Sequence, residues 1–153
     1  MTSTDPARSR SRRKQDALNH LAHDEDAWVA TASPSGEACL VPLSFIWDRG
    51  TLLMATRRTN PTAVNLSLRA SAVVALGHTR DVVHIEGTAE LVEGSDLAKE
   101  AADRFAAKLG WDPRGRKPWV YISFTPVVVK AWREANEQPG RLLMREGQWL
   151  DGP

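Results

Sequence analysis

The spacing of apolar residues changes period along this chain. Between Arg8 and Leu21, Ala17, Leu18, Leu21 and Ala22 recur at helical intervals and predict a short amphipathic helix. "HDEDA" ends it, and apolar and polar residues then alternate as in half-buried strands. Strands are predicted at 27–33 ("AWVATAS"), 38–48 ("ACLVPLSFIWD"), 51–57 ("TLLMATR"), 71–78, 82–94 and 118–132. Short turns join several of them, including "PSGE" and "DRG". Pro42 cannot donate to a ladder, so it marks an edge or a bulge. Gly87 is expected to bend its strand, and Pro126 to break the last one. Two helices interrupt the strands. One runs from Pro61 to about Ala70, with proline suited to its first turn. The other spans 95–110, where Leu97, Ala101, Phe105 and Leu109 recur every four residues, Ser95 is placed to cap and Gly110 to stop. The tail "LLMREGQWLDGP" is short enough to pair or wrap. The pattern predicts a mainly β (α+β) fold, a closed or split antiparallel β-barrel of about six strands with two or three helices, rather than a parallel βαβ sheet.

At 153 residues the chain is long enough for one domain with its own core. Charge divides it: Arg8, Arg10, Arg12, Arg13 and Lys14 face only Asp5 in the first 14 residues, giving +4, while the whole chain is +1. The expected organisation is a disordered basic N-terminal arm at 1–14 followed by a single split β-barrel domain at 15–153. The single Cys39 excludes an intrachain disulfide and a multi-cysteine zinc site. No apolar run approaches the ~18 residues that span a bilayer, and no apolar segment follows the N-terminal cations, so the expectation is a cytoplasmic protein without a membrane partner.

Several motifs are missing: no G-x-G-x-x-G, Walker loop, G-x-S-x-G, H-E-x-x-H or C-x-x-C occurs. His20 and His23 stand three apart without a third ligand at metal spacing, so no metal site is expected. His84, between Val83 and Ile85, is expected to be a hydrogen-bonded barrel histidine, and Cys39 a small half-buried residue. The stretch "MATRRTNPTAVNL" (54–66) differs. A strand ends in Thr56-Arg57-Arg58, a turn follows, and a helix begins with Thr62 and Asn65 on it. Guanidinium groups, hydroxyls and helix N-terminal N–H groups are the parts of a phosphate site, though a solvated turn would use the same residues. Just upstream, "VPLSFIW" puts Pro42 beside Leu43 and Ser44, with Trp47 nearby. Backbone groups left free there could meet a planar ring.

The run "WVATASPSGEACLVPLSFIWDRGTLLMATRRTNPTAVNLSLRASAVVALGHTRDVVHIEGTAELV" resembles the pyridoxamine 5′-phosphate oxidase-like family. More narrowly, it resembles that family's flavin/deazaflavin (F420) oxidoreductase branch. The resemblance covers residues 27 to about 94 and is weaker through Trp132. It implies a split β-barrel, a homodimer with cofactor sites at the subunit interface, F420 or alternatively FMN as cofactor, and two-electron transfer to a small organic substrate. By position, Val41, Pro42, Leu43 and Ser44 would lie along the ring. Thr56, Arg57, Arg58 and Thr62 would address the phosphate, with Asn65 supporting the loop. Ala63 departs from the pattern, because many relatives carry lysine there. No protein base is required when the cofactor carries the redox chemistry, so the catalytic residues stay unassigned. Two other readings stand beside this one. The first is a non-catalytic carrier of flavin, F420 or haem. The second is a nucleic-acid-binding barrel, against which weigh the absence of aromatics among the arm's arginines and a slightly acidic body.

Overall fold

The alternating segments form strands because each presents one apolar face to a shared interior. The computed structural model describes residues 5–150. In chain order the elements are α1 (Arg10–His23), β1 (Asp26–Ala32), β2 (Ala38–Asp48), β3 (Thr51–Arg57), α2 (Pro61–Leu68), β4 (Ser71–His78), β5 (Asp81–Val92), α3 (Lys99–Leu109), β6 (Trp119–Trp132), β7 (Leu142–Arg145) and β8 (Gln148–Trp149), with a single 3₁₀ turn at Ala135–Glu137. The sheet order is β3-β2-β1-β4-β5-β6-β7-β8, and β3 also pairs with β6, so the first six strands close into an antiparallel barrel. The fold class is therefore as expected, extended by the β7–β8 hairpin on β6.

Two cores result. The barrel interior is filled by Val29, Phe45, Leu52, Met54, Val74, Ile85, Ile122 and Phe124, closed at one side by Ala17 and Leu21 of α1. The second lies outside the barrel wall, where Ala102 and Phe105 of α3 pack on Ile46, Leu53, Ala55 and Tyr121. Alternate residues of β3 serve the two cores in turn, as the two-residue period of a strand requires. β2 and β3 are joined by Arg49-Gly50, both at positive φ (51° and 82°), the geometry of a tight hairpin turn.

Local details correct the sequence reading. Pro126 does not break β6; it pairs with Gly87 where the β5–β6 register shifts by one residue. Gly87 stands at that bend because a Cβ there would come within 2.3 Å of the Thr125 carbonyl oxygen. Ser95 does not cap α3: the N–H groups of Asp96 and Leu97 bond the Glu93 carbonyl in a separate turn, and the helix begins after Ala98. His84 is not hydrogen-bonded through Nδ1, which is buried without a partner, and its ring lies tilted against Trp132 at 6.3 Å.

The largest correction concerns the expected arm. Residues 1–4 lie outside the described residues, but from Arg8 onward the basic stretch is built into the fold. Ser9 caps α1 by accepting from the Arg12 N–H. Arg8 donates to both Glu137 oxygens (2.9 and 2.7 Å) and to Asp16 (2.9 Å), and Arg13 donates to the carbonyls of Glu137, Ala131 and Pro139. Glu137 is only 3% exposed. Burial alone would raise its pKa, but hydrogen bonds from the Arg8 side chain and from the Arg8 and Arg133 N–H groups hold it at about 2.

A second polar tie joins α1 to the β4–β5 turn. His20 bonds Asp24 through Nδ1 (2.9 Å) and Asp81 through Nε2 (3.0 Å), so both ring nitrogens donate when the imidazole is charged. Burial would lower its pKa, yet the two carboxylates outweigh it and raise the value above the ordinary 6.5. The sign follows: a raised folded-state pKa stabilises the protein below about 6.5 and loses that contribution as pH rises through the folded value. Melting temperature should therefore decline across this window. A His20→Gln variant should show a flatter profile in thermal unfolding between pH 5.5 and 8. An identical slope in both proteins would show that His20 does not carry the dependence.

Candidate functional site

The site is built where β2 and β3 part. Between Ala38 and Ser44, β2 pairs with β1; only Phe45–Asp48 pair with β3. Among the described residues, no strand covers the other side of 38–44. Hydrogen bonds from Phe45 N–H to Glu25 and from Ser33 N–H to Glu37 (3.0 and 2.9 Å) bracket the β1–β2 ladder. Their phase assigns the odd-numbered residues of β2 to β1. The N–H of Leu40 and the carbonyls of Leu40 and Pro42 therefore face the open side. Proline is tolerated at 42 because its missing N–H would also have faced that side. The register is continuous through Pro42, so it marks an edge and not a bulge.

Side chains of this segment divide by face. Val41 and Leu43 are half-buried, and Leu43 packs against the barrel core. Leu40 is 61% exposed, beside Pro42 and the 51% exposed Trp28 on the outer face. Ser44 donates to Asp26 at 2.6 Å. Of the residues expected along a ring, then, Val41 and Leu43 have their backbone committed to β1, and Pro42, with its neighbour Leu40, offers free backbone on the open side.

At the exit of β3 the expected phosphate residues do not all converge. Thr56 (3% exposed) accepts from the Asn60 Nδ2 at 2.9 Å. Thr62 (1%) places its Oγ1 3.8 Å from Cys39 Sγ, and Asn65 (7%) donates to Thr31 Oγ1 at 3.1 Å. Thr62 and Asn65 thus tie α2 to β2 and β1. Asn60 stands at the N-cap of α2 without a side-chain cap bond, and Pro61 occupies the first turn, so the N–H groups of Thr62 and Ala63 lack side-chain acceptors. Ala63 is itself 1% exposed and supplies no cation.

The two arginines separate. Arg57 lies over the Trp119 ring at 5.2 Å and is exposed. Among the described residues no carboxylate pairs with it. Arg58 is already engaged: Glu93 grips its guanidinium through both oxygens, and it donates to the carbonyls of Lys117 (2.6 Å) and Trp119 (2.9 Å). The Glu93 hydrogen bond raises the Arg58 pKa and lowers that of Glu93. Trp119 and Glu93 escaped the sequence reading, because only the β3–β6 register brings Trp119 opposite Arg57.

The parts left unsatisfied are a free strand edge, an unpaired guanidinium and an uncapped helix start, all around one junction. They fit a flat polar ring with an anionic end: the edge supplies complementary donors and acceptors, and the junction supplies positive charge. Among the described residues, no three or more potential ligands gather to hold a metal ion, and no helix is long and apolar enough to cross a membrane.

Comparison with known proteins bears on this arrangement. The family model described as Pyridoxamine 5′-phosphate oxidase matches residues 15–133. Among solved structures, an F420 reductase aligns with a TM-score of 0.59 at 16% identity, covering 72% of this chain and 93% of that one. A pyridoxamine 5′-phosphate oxidase-related, FMN-binding protein from Nostoc punctiforme aligns with a TM-score of 0.57 at 18% identity, covering 77% and 80%. A FAD-binding protein from Mesorhizobium loti aligns with a TM-score of 0.61 at 18% identity, covering 76% and 91%. At these identities the alignments establish the fold alone. No curated protein sequence matches the chain.

Proposed function

Because the chain belongs to the pyridoxamine 5′-phosphate oxidase family, we propose that it is a flavin- or deazaflavin-dependent oxidoreductase that binds F420, or alternatively FMN, and acts on a small organic substrate. The observation that carries this reading is the edge of β2, unpaired among the described residues, beside an Arg57 that has no carboxylate partner among them. The free backbone groups of Leu40 and Pro42 would hold the ring. Arg57 and the first turn of α2 would hold the phosphate, while Thr56, Thr62 and Asn65 keep that junction in place. The cofactor, when bound, supplies hydride transfer; the chain's own residues bind, orient and shield it. Cys39, whose Sγ lies 3.8 Å from Thr62 Oγ1, is the one titratable side chain within 38–43, and the reading assigns it no proton transfer, leaving that chemistry to cofactor and substrate.

The reading includes a homodimer. On the outer barrel face Trp28 and Leu40 are exposed, and α2 also exposes Val64 (44% exposed) and Leu68 (64%). A second copy covering Leu40 would also close the open side of β2 and exclude water from the ring.

Six tryptophans make binding simple to follow. Titration with F420 and with FMN should quench tryptophan emission with a Kd below ~100 μM for one of them, equivalent to about −5.5 kcal/mol. If neither cofactor binds in that range, the reading fails. Binding without oxidation of the reduced cofactor by any member of a broad acceptor panel would instead support the carrier role.

A further inference from the structure

A cavity lies past Arg58, away from the edge of β2. Its volume is about 320 Å³, within the size range of small-molecule sites. Three connections build it: the exit of β3, the turn after β5 and the loop leading into β6. Arg58 holds these together, since one guanidinium binds Glu93, the Lys117 carbonyl and the Trp119 carbonyl.

Its lining combines three features. Trp119 and Tyr121 supply flat aromatic walls. Arg58, Arg116 and Lys117 outnumber the one carboxylate, Glu93, and among the described residues the side chains of Arg116 and Lys117 make no hydrogen bond or ion pair. Tyr121, 1% exposed, has a buried hydroxyl with no hydrogen-bond partner. Its ring edge lies 3.7 Å from where a Cβ on Gly94 would stand, so the ring reaches the glycine wall of this cavity. A buried hydroxyl left unpaired is costly, and the Tyr121 ring that carries it is part of the cavity's lining.

We propose that this cavity binds a planar aromatic or heteroaromatic carboxylate, its ring against Trp119, its carboxylate at Arg116 and Lys117, and an acceptor atom of the ring meeting the Tyr121 hydroxyl. Arg58 has four of its five N–H donors engaged and acts as a wall and not as the anion's partner. Glu93 opposes the ligand's charge. The proposal does not use Arg57: the cavity's lining includes Arg58 and Trp119 but not Arg57, which adjoins it only through the Trp119 ring.

The test is calorimetric titration of the full chain with quinoline-2-carboxylate, and with quinoline as the uncharged control. The carboxylate should bind at least about tenfold more tightly than quinoline. Arg116→Ala with Lys117→Ala should weaken it about fivefold or more, and Glu93→Gln should tighten it. Tyr121→Phe keeps the ring and should weaken binding while leaving the melting temperature unchanged or higher. Saturating FMN or F420 should not displace the ligand. No heat up to about 5 mM, equal affinity for quinoline, indifference to Tyr121→Phe, or displacement by the cofactor would each overturn the proposal.

Discussion

Arg57→Ala is expected to weaken binding of F420 or FMN by roughly tenfold or more, whereas Arg58→Ala should change it little. A charge-assisted hydrogen bond contributes about 1.5–3 kcal/mol, and each 1.4 kcal/mol is a factor of ten. Sequence alone gives the neighbours equal claims. The structure does not: Arg57 rests on the Trp119 ring with no carboxylate partner among the described residues, while Arg58 is committed to Glu93 and two carbonyls. An incoming anion meets the unpaired cation first and would have to displace Glu93 to use the other. Fluorescence titration of the two single variants separates these cases. Equal losses, or a loss confined to Arg58→Ala, would move the anion's place to the Glu93 side of β3.

Glu137→Ala should destabilise the protein by about 3 kcal/mol, towards the lower end of the range for breaking a buried ion pair. The lower end applies because Arg8 keeps Asp16 and Arg13 keeps its carbonyl partners after the change. For a chain of this size that corresponds to a fall of about 6–12 °C in Tm, measurable by differential scanning calorimetry. Glu137→Gln should recover part of the loss, because its one amide oxygen can still accept from the N–H of either Arg8 or Arg133, which bind different oxygens of Glu137. The pH dependence has a defined sign. A carboxyl held at about 2 in the fold, against an ordinary 4.5, contributes fully above about 4.5. That contribution is lost as pH falls towards 2. Wild type and variant should therefore converge in stability under acid. A constant gap between them down to pH 2.5 would mean that packing, not charge, accounts for the loss.

These two predictions mark where sequence reasoning reached and where it stopped. Short-range signals carried far: β2, β3 and β4 run where alternation and turns placed them, and Pro61 and Gly110 stand at the ends of their helices. The features that escaped depend on partners distant in the chain. A run of arginines looks solvated until Glu137 is brought beside it from 129 residues away. Arg57 and Arg58 differ only through Trp119 and Glu93, the latter 35 residues distant from Arg58. Ser95 had the chemistry of a cap, but the Glu93 carbonyl captured the next two N–H groups and displaced the helix start to Lys99. At the candidate site, the open edge was legible from Pro42, which a paired central strand would not accept. The inward turn of Thr62 and Asn65 was not, because it follows from how α2 packs on β1 and β2.

The proposed placement of the cofactor is tested most directly by assigning backbone amide resonances and titrating with F420 and with FMN. The amide of Leu40 on the open strand edge should shift together with those of Thr62 and Ala63 at the start of α2. The amides of Gly94 and Gly115 in the neighbouring cavity should stay still. Shifts confined to Gly94, Gly115 and Lys117, with Leu40 and Ala63 unmoved at saturation, would contradict it.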